Sequence, residues 1–313
     1  MAPHKHPKLQ CVQTIGKMVT NIDDEFQFRG RVPGFPVDVK LSYNHSCILI
    51  ADFYNNCVHL LDIDTKAFKL SILIPISPLL RILVEENYIS NRDALIVSSN
   101  DEMLKYDLGH LIESSIQKRY SDCLWRIYAT SEFMGMTLVK EKDRNSIYVC
   151  GSPKNSIAKI DSLRGVMDED DSFTVFDGFQ PVINSEDNSM IVGIRNNTTL
   201  NLFEIYSQNE RGDWCIHDSI PKEEIFSLPQ DEDISFSFLL DETNEYIILN
   251  KEGHGLLLIS LQNGHIVDSF ENRQHGANIG GMCFNSKNGE LLVCDAQYGV
   301  VRIFNCKLEE QLS

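Results

Sequence analysis

In residues 48–62 an apolar run, Ile48-Leu49-Ile50-Ala51, ends in Asp52. A polar turn follows through Asn55 and Asn56, and a second apolar run from Val58 to Leu61 closes on Asp62. The outline recurs along the chain. With Asp52 as reference column, an apolar run precedes it, an apolar residue stands six positions on and a polar residue ten on. The same pattern returns at Gly151, Ile194, Asn250 and Asp295 and, with a turn two residues shorter, at Ser99. Six copies at spacings of 43 to 56 residues constrain the fold more than any other feature. A unit of this kind cannot bury its apolar faces alone and must stack on its neighbours.

The segments are short, rich in Ile, Val, Leu and Tyr, and bounded by turn residues, which marks them as strands and excludes helical repeats of similar period. A repeat of this length suits a four-stranded propeller blade. Each copy supplies the two further strands that a blade needs. Inner strands are expected at 36–41, 80–84, 134–139, 180–183, 235–240 and 279–284, and outer strands at 68–74, 123–129, 172–176, 214–220 and 266–270. The sixth copy runs out of chain before an outer strand, whereas residues 9–15, Leu-Gln-Cys-Val-Gln-Thr-Ile, form a short alternating strand ahead of any complete blade. The expected fold is therefore an all-β, six-bladed propeller whose N-terminal strand completes the last blade and covers an edge that would otherwise be open. Residues 9–313 are expected to form one domain and 1–8 a disordered terminus. A helix is expected at 111–118, in a long connection of the second blade, and a second long connection, rich in acids, at 221–233.

Composition narrows the function classes. The formal charge of −17 repels phosphate backbones and argues against nucleic acid as a partner. No stretch approaches the ~18 apolar residues of a membrane span, and the N-terminus shows no apolar core of a signal peptide. The nine cysteines include no C-x-x-C pair and mostly lie in apolar strand-like runs, where a thiol serves as a small hydrophobe. A reduced, soluble, cytoplasmic protein is expected.

The repeat resembles the NHL family of β-propellers. Ile50-Ala51-Asp52-Phe53-Tyr54-Asn55-Asn56-Cys57-Val58-His59-Leu60-Leu61-Asp62 follows the family outline nearly throughout, and Val293-Cys294-Asp295 with Val301-Arg302-Ile303-Phe304 follows it with Tyr298 in place of the Asn. Pro36-Val37-Asp38-Val39 is similar to the family's inner strand, with Asp38 departing from it. The four middle copies keep the spacing and the apolar pattern without the Asp. The resemblance implies a structural role for Asp52, Asn55 and Asp295 at hairpin corners. It also implies ligand or protein binding at one mouth of the central channel, where Asp38, Arg81, Thr137, Gln180 and Ser237 on the inner strands are the candidates. Asp38 and Arg81 are expected to pair.

An enzyme is the alternative. A lactonase-like hydrolase needs ~6–8 oxygen ligands around a hard cation, and the inner strands offer Asp38 and little else. A zinc lyase needs several histidines, and none of the nine falls on an expected inner strand; His59, His217 and the others read as surface residues. No nucleophile elbow or phosphate-binding glycine loop occurs. The acidic run Asp168-Glu169-Asp170-Asp171 reads as a solvated turn. The reading is a non-enzymatic module that binds a ligand or, more specifically, a protein. It uses no cofactor, and a divalent metal enters only under the hydrolase or lyase alternative.

Overall fold

A computed structural model describes residues 9–16, 32–119, 121–128, 133, 135–140, 144–151, 156–175, 178–184, 187–194, 201–211, 213–221, 236–241, 245–251, 255–270 and 279–305. Residues 1–8 and nearly all of the acidic connection at 221–233 lie outside them.

Six four-stranded antiparallel sheets follow one another as blades. Blade one is β2 (Pro36–Ser42), β3 (Cys47–Asp52), β4 (Cys57–Asp62) and β5 (Phe68–Leu73). Blade two is β6 (Arg81–Ile89), β7 (Arg92–Ser98), β8 (Glu102–Asp107) and β9 (Trp125–Tyr128). Blade three is β10 (Gly135–Lys140), β11 (Asn145–Cys150), β12 (Ser156–Asp161) and β13 (Val166–Thr174), and blade four is β14 (Gly178–Ile183), β15 (Met190–Ile194), β16 (Asn201–Gln208) and β17 (Trp214–Pro221). Blade five is β18 (Phe236–Leu240), β19 (Tyr246–Lys251), β20 (Gly255–Ser260) and β21 (Ile266–Phe270). Blade six takes β22 (Ile279–Asn285), β23 (Glu290–Asp295) and β24 (Val300–Asn305) from the end of the chain and β1 (Gln10–Ile15) from its start. The β1–β24 pairing is antiparallel, from Gln10 opposite Asn305 to Ile15 opposite Val301, and it closes the ring.

Strand periodicity explains why the blades stack. Successive side chains alternate between sheet faces, so a strand apolar on both faces feeds two interfaces at once. Ile48 and Ile50 pack toward blade six, against Leu292 and Ile303, while Leu49 and Ala51 pack toward blade two, against Leu95 and Val97. Every adjacent pair of blades shares such an apolar cluster. Each buried Leu or Ile in them contributes roughly 1.5–3 kcal/mol.

Two local readings of the sequence are corrected. The helix of blade two, α1, begins earlier than expected, at Leu108–Ile116, because the Asp107 carboxylate caps it by accepting the His110 N–H. The acidic run 168–171 lies inside β13 and not in a turn. The β12–β13 register shifts there, with Lys159 opposite Asp168 and Ile157 opposite Phe173, so the extra residues are accommodated within the strand.

Candidate functional site

The inner-strand candidates bind neighbouring blades. Asp38 Oδ2 accepts the Ile82 N–H at 3.0 Å, and Arg81 donates to the Val37 carbonyl at 3.0 Å, lacing blade one to blade two in both directions. The cation that pairs with Asp38 is Lys40, on its own strand at 2.7 Å, instead of the expected Arg81. Two residues along a strand share a face, which places Lys40 Nζ within reach. Gln180 donates to the Phe238 carbonyl at 2.7 Å, joining blades four and five, and Ser237 donates to the Gly280 carbonyl at 2.7 Å, joining blades five and six. Gly281 stands where a Cβ would lie 1.9 Å from Asp38 Oδ1, so blade six approaches blade one too closely for any side chain there. Thr137 is half-buried on β10 with no side-chain hydrogen bond among the described residues.

The corner of blade one is a more concentrated polar centre. Asp52 is fully buried at the end of β3. Its carboxylate accepts the backbone N–H groups of Gly34 (2.5 Å), Phe35 (3.3 Å) and Asn55 (3.2 Å), the Asn55 amide (2.9 Å) and His59 Nε2 (2.9 Å). Burial pushes its pKa up, but the His59, Gly34 and Asn55 hydrogen bonds outweigh burial and hold it below the ordinary value. His59 is buried, at 2% exposure, which corrects its reading as a surface residue. With Nε2 donating to Asp52, Nδ1 accepts from the Ser71 hydroxyl at 2.7 Å, so one imidazole ties β3, β4 and β5 together. The missed signal is a polar residue in the middle of the apolar run of β4.

Asp52, Cys57 and His59 also form the one group of three potential metal ligands among the described residues. Burial, and then the Asp52 charge, push the Cys57 thiol up to about 12, and Asp52 already accepts hydrogen bonds from five donors. A hydrogen-bonded corner accounts for all three side chains.

A second buried centre joins blades two and three. Lys105 Nζ donates to Glu85 (2.5 Å), to the Ser162 carbonyl (2.7 Å) and to Ser162 Oγ (3.0 Å), using all three of its protons. Glu85 also accepts from Asn145 Nδ2 at 2.6 Å and from the Ser162 hydroxyl. Desolvation lowers the Lys105 pKa against the pull of Glu85. Every group has a partner, which is the condition for a buried ion pair to be tolerated.

The outer rim offers an open feature. Helix α1, inserted between β8 and β9, packs beside β5 of blade one and leaves a cleft of about 550 Å³. Leu73, Ile74, Pro75, Tyr106 and Leu111 supply apolar walls, and Ser71, Ser115, Lys118, Arg119 and Ser121 supply polar ones. Leu73 is 78% exposed and the neighbouring Ile116 67%.

No protein-family model matches the chain, and no curated protein is similar to it in sequence. Among solved structures, the β-propeller domain of Cps50 (Swd1) from Myceliophteria thermophila aligns with a TM-score of 0.59 and 10% identity. The alignment covers 87% of this chain and 98% of that domain. The likeness is one of fold. Among the described residues, no helix is long and apolar enough to cross a membrane.

Proposed function

We propose that this chain is a non-enzymatic binding propeller of the NHL-like type whose partner is a protein. The observation that carries the reading is where polar and apolar groups are spent. Asp38, Arg81, Gln180 and Ser237 are engaged in blade-to-blade hydrogen bonds. At the rim of blades one and two, exposed Leu73 and Ile116 lie beside Lys118 and Arg119, which have no carboxylate partner among the described residues. The Asp corners of blades one and six support the NHL-like assignment, since each acid holds a hairpin turn as the resemblance implies.

Photo-crosslinking tests the proposal. Benzoylphenylalanine is placed singly at Leu73, Ile116, Leu163 and Ile216, exposed positions on four different elements. At least one is expected to yield a discrete adduct that excess unmodified protein competes away. Failure at all four overturns the reading. So does a rise in melting temperature with calcium or zinc that a chelator reverses, because a resident metal at a hundredfold excess over its dissociation constant adds about 2.7 kcal/mol.

A further inference from the structure

We infer that the cleft between β5 and α1 docks a short, extended acidic segment of a partner protein. Its carboxylates meet Lys118 and Arg119, and its apolar side chains pack on Leu73, Ile74 and Leu111. The inference rests on the binding reading above and assigns it a surface and a partner chemistry.

The first argument is charge at the cleft. Lys40, Lys66, Lys69, Lys105, Arg92, Arg126, Arg144 and Arg302 each lie beside a carboxylate. Lys118 and Arg119 have no anionic partner among the described residues, although the chain carries 45 Asp and Glu against 28 Lys and Arg. Lys140, Arg164, Arg211 and Lys287 likewise show no carboxylate partner among the described residues, but none of them lines this cleft. Two adjacent cations left unengaged on so acidic a chain form a local field that selects an acidic ligand.

The second argument is the backbone that presents them. Helix α1 ends with the Lys118 N–H donating to the Ser115 carbonyl at 3.1 Å and the Arg119 N–H donating to the Ser114 carbonyl at 2.8 Å. That reversal requires a left-handed residue, and Lys118 takes it with φ of 55°. Glycine is the inexpensive occupant of such a position, and a side chain there is strained. The last turn is closed by main-chain N–H groups, so neither ammonium nor guanidinium is needed to cap it.

The third argument is the lining. β5 is the terminal strand of its sheet, and among the described residues no further strand pairs with its outer edge, which can accept an extended chain. Ser71, Ser115 and Ser121 add polar groups to the cleft wall. The volume of about 550 Å³ falls within the range of binding clefts.

The full chain is titrated with a fluorescein-labelled peptide of about eight residues, a strand and its flank, alternating Glu with Leu. A Lys-for-Glu peptide serves as control. Saturable binding of the acidic peptide alone is expected. The double variant Lys118→Glu, Arg119→Glu should weaken it by about tenfold or more, Leu73→Asp should weaken it comparably, and Lys118→Arg should preserve it. Melting curves confirm that each variant is folded. Equal binding of the Lys peptide, an affinity within about twofold in the double variant, or no saturable binding overturns the inference. Binding of phosphatidylserine vesicles in place of the peptide, or self-association that the same double variant abolishes, also overturns it. Crosslinking from Leu163 or Ile216 but from neither Leu73 nor Ile116 defeats the cleft assignment while leaving the binding reading intact; failure at every position defeats both.

Discussion

Blades one and six carry the same acid at the same corner and hold it differently. In blade one, Asp52 is fully buried, and the residue seven positions on is His59, a buried imidazole that passes the connection to Ser71 on the outer strand. In blade six, Asp295 accepts the Tyr298 N–H at 3.3 Å, and the residue seven on is Arg302, whose Nε donates at 2.8 Å from a partly exposed side chain. Blade one is one continuous stretch of chain, whereas blade six is assembled from both ends. The carboxylate is thus what the hairpin corner requires, while its partner varies with how deeply the corner is buried. The blade sewn from two ends relies on β1 for its outer strand.

The largest expected effect separates the two blades by connectivity. Removing residues 1–16 takes away the outer strand of blade six and the buried side chains of Leu9 and Ile15, which belong to its two interfaces. Two such losses cost roughly 4 kcal/mol or more, before the exposed edge of β24 is counted. One cooperative transition at a clearly lower temperature is expected by calorimetry. A truncated protein that melts unchanged would show that blade six does not depend on its borrowed strand.

Next come the corners themselves. Asp52→Ala leaves the Gly34 and Phe35 N–H groups and the His59 ring without their acceptor, and at ~1–3 kcal/mol for each buried unsatisfied group the total is about 4 kcal/mol. Asp295→Ala removes the acceptor of the Tyr298 N–H and of Arg302, whose partly exposed head can turn to water, and about 2 kcal/mol is expected. Urea denaturation of the pair measures both. Equal losses would refute the claim that burial of the partner sets the strength of the corner.

These corners also show what was legible in the sequence and what was not. The period, the strand count and the borrowed strand follow from apolar runs, because burial on both faces of a blade demands them. Asp52 and Asp295 were legible as turn acids. Their partners were written in the sequence too: His59 interrupts Val58-His59-Leu60-Leu61, and Arg302 interrupts Val301-Arg302-Ile303-Phe304 at the equivalent place. A lone polar residue in an otherwise buried strand has to meet a polar group, and an acid two strand ends away is the available one. The inner-strand residues were harder. Whether Asp38 meets Arg81, Lys40 or a backbone N–H depends on how far one blade rotates against the next, and local pattern does not encode that rotation. The cleft was less legible still: the long connection of blade two is visible, but the side on which α1 packs is decided by the apolar clusters of blade one.

Acid titration sharpens the corner comparison. The folded-state pKa of Asp52 is lowered: burial alone would raise it, but hydrogen bonds from His59, Gly34 and Asn55 prevail. The unfolded chain, with an ordinary Asp near 3.9, therefore binds the proton first as pH falls. The resulting stabilisation is complete above about pH 5 and is lost as pH drops through the folded value. In Asp52→Asn the group cannot titrate, so the acid limb of the stability curve should flatten, from a lower baseline. If Asp52→Asn retains the full slope, the carboxylate was not the group that titrates.

The smallest effect distinguishes the two turns. Each follows its acid with a left-handed residue, Asn56 at φ 46° in blade one and Gly299 at φ 66° in blade six. Gly299→Ala places a Cβ in a conformation that L residues avoid and should cost about 1 kcal/mol. At Asn56 the native residue already bears that strain. Asn56→Gly relieves it but raises the entropy of the unfolded chain and gives up the Asn56 amide hydrogen bond to Ser77 Oγ at 3.2 Å. The opposing terms should leave Asn56→Gly within about 0.5 kcal/mol of the wild type. A loss above about 1 kcal/mol from Asn56→Gly would mean that the Ser77 contact carries the turn. Blade one would then be held at its corner by side chains throughout, whereas the turn of blade six is held by its backbone.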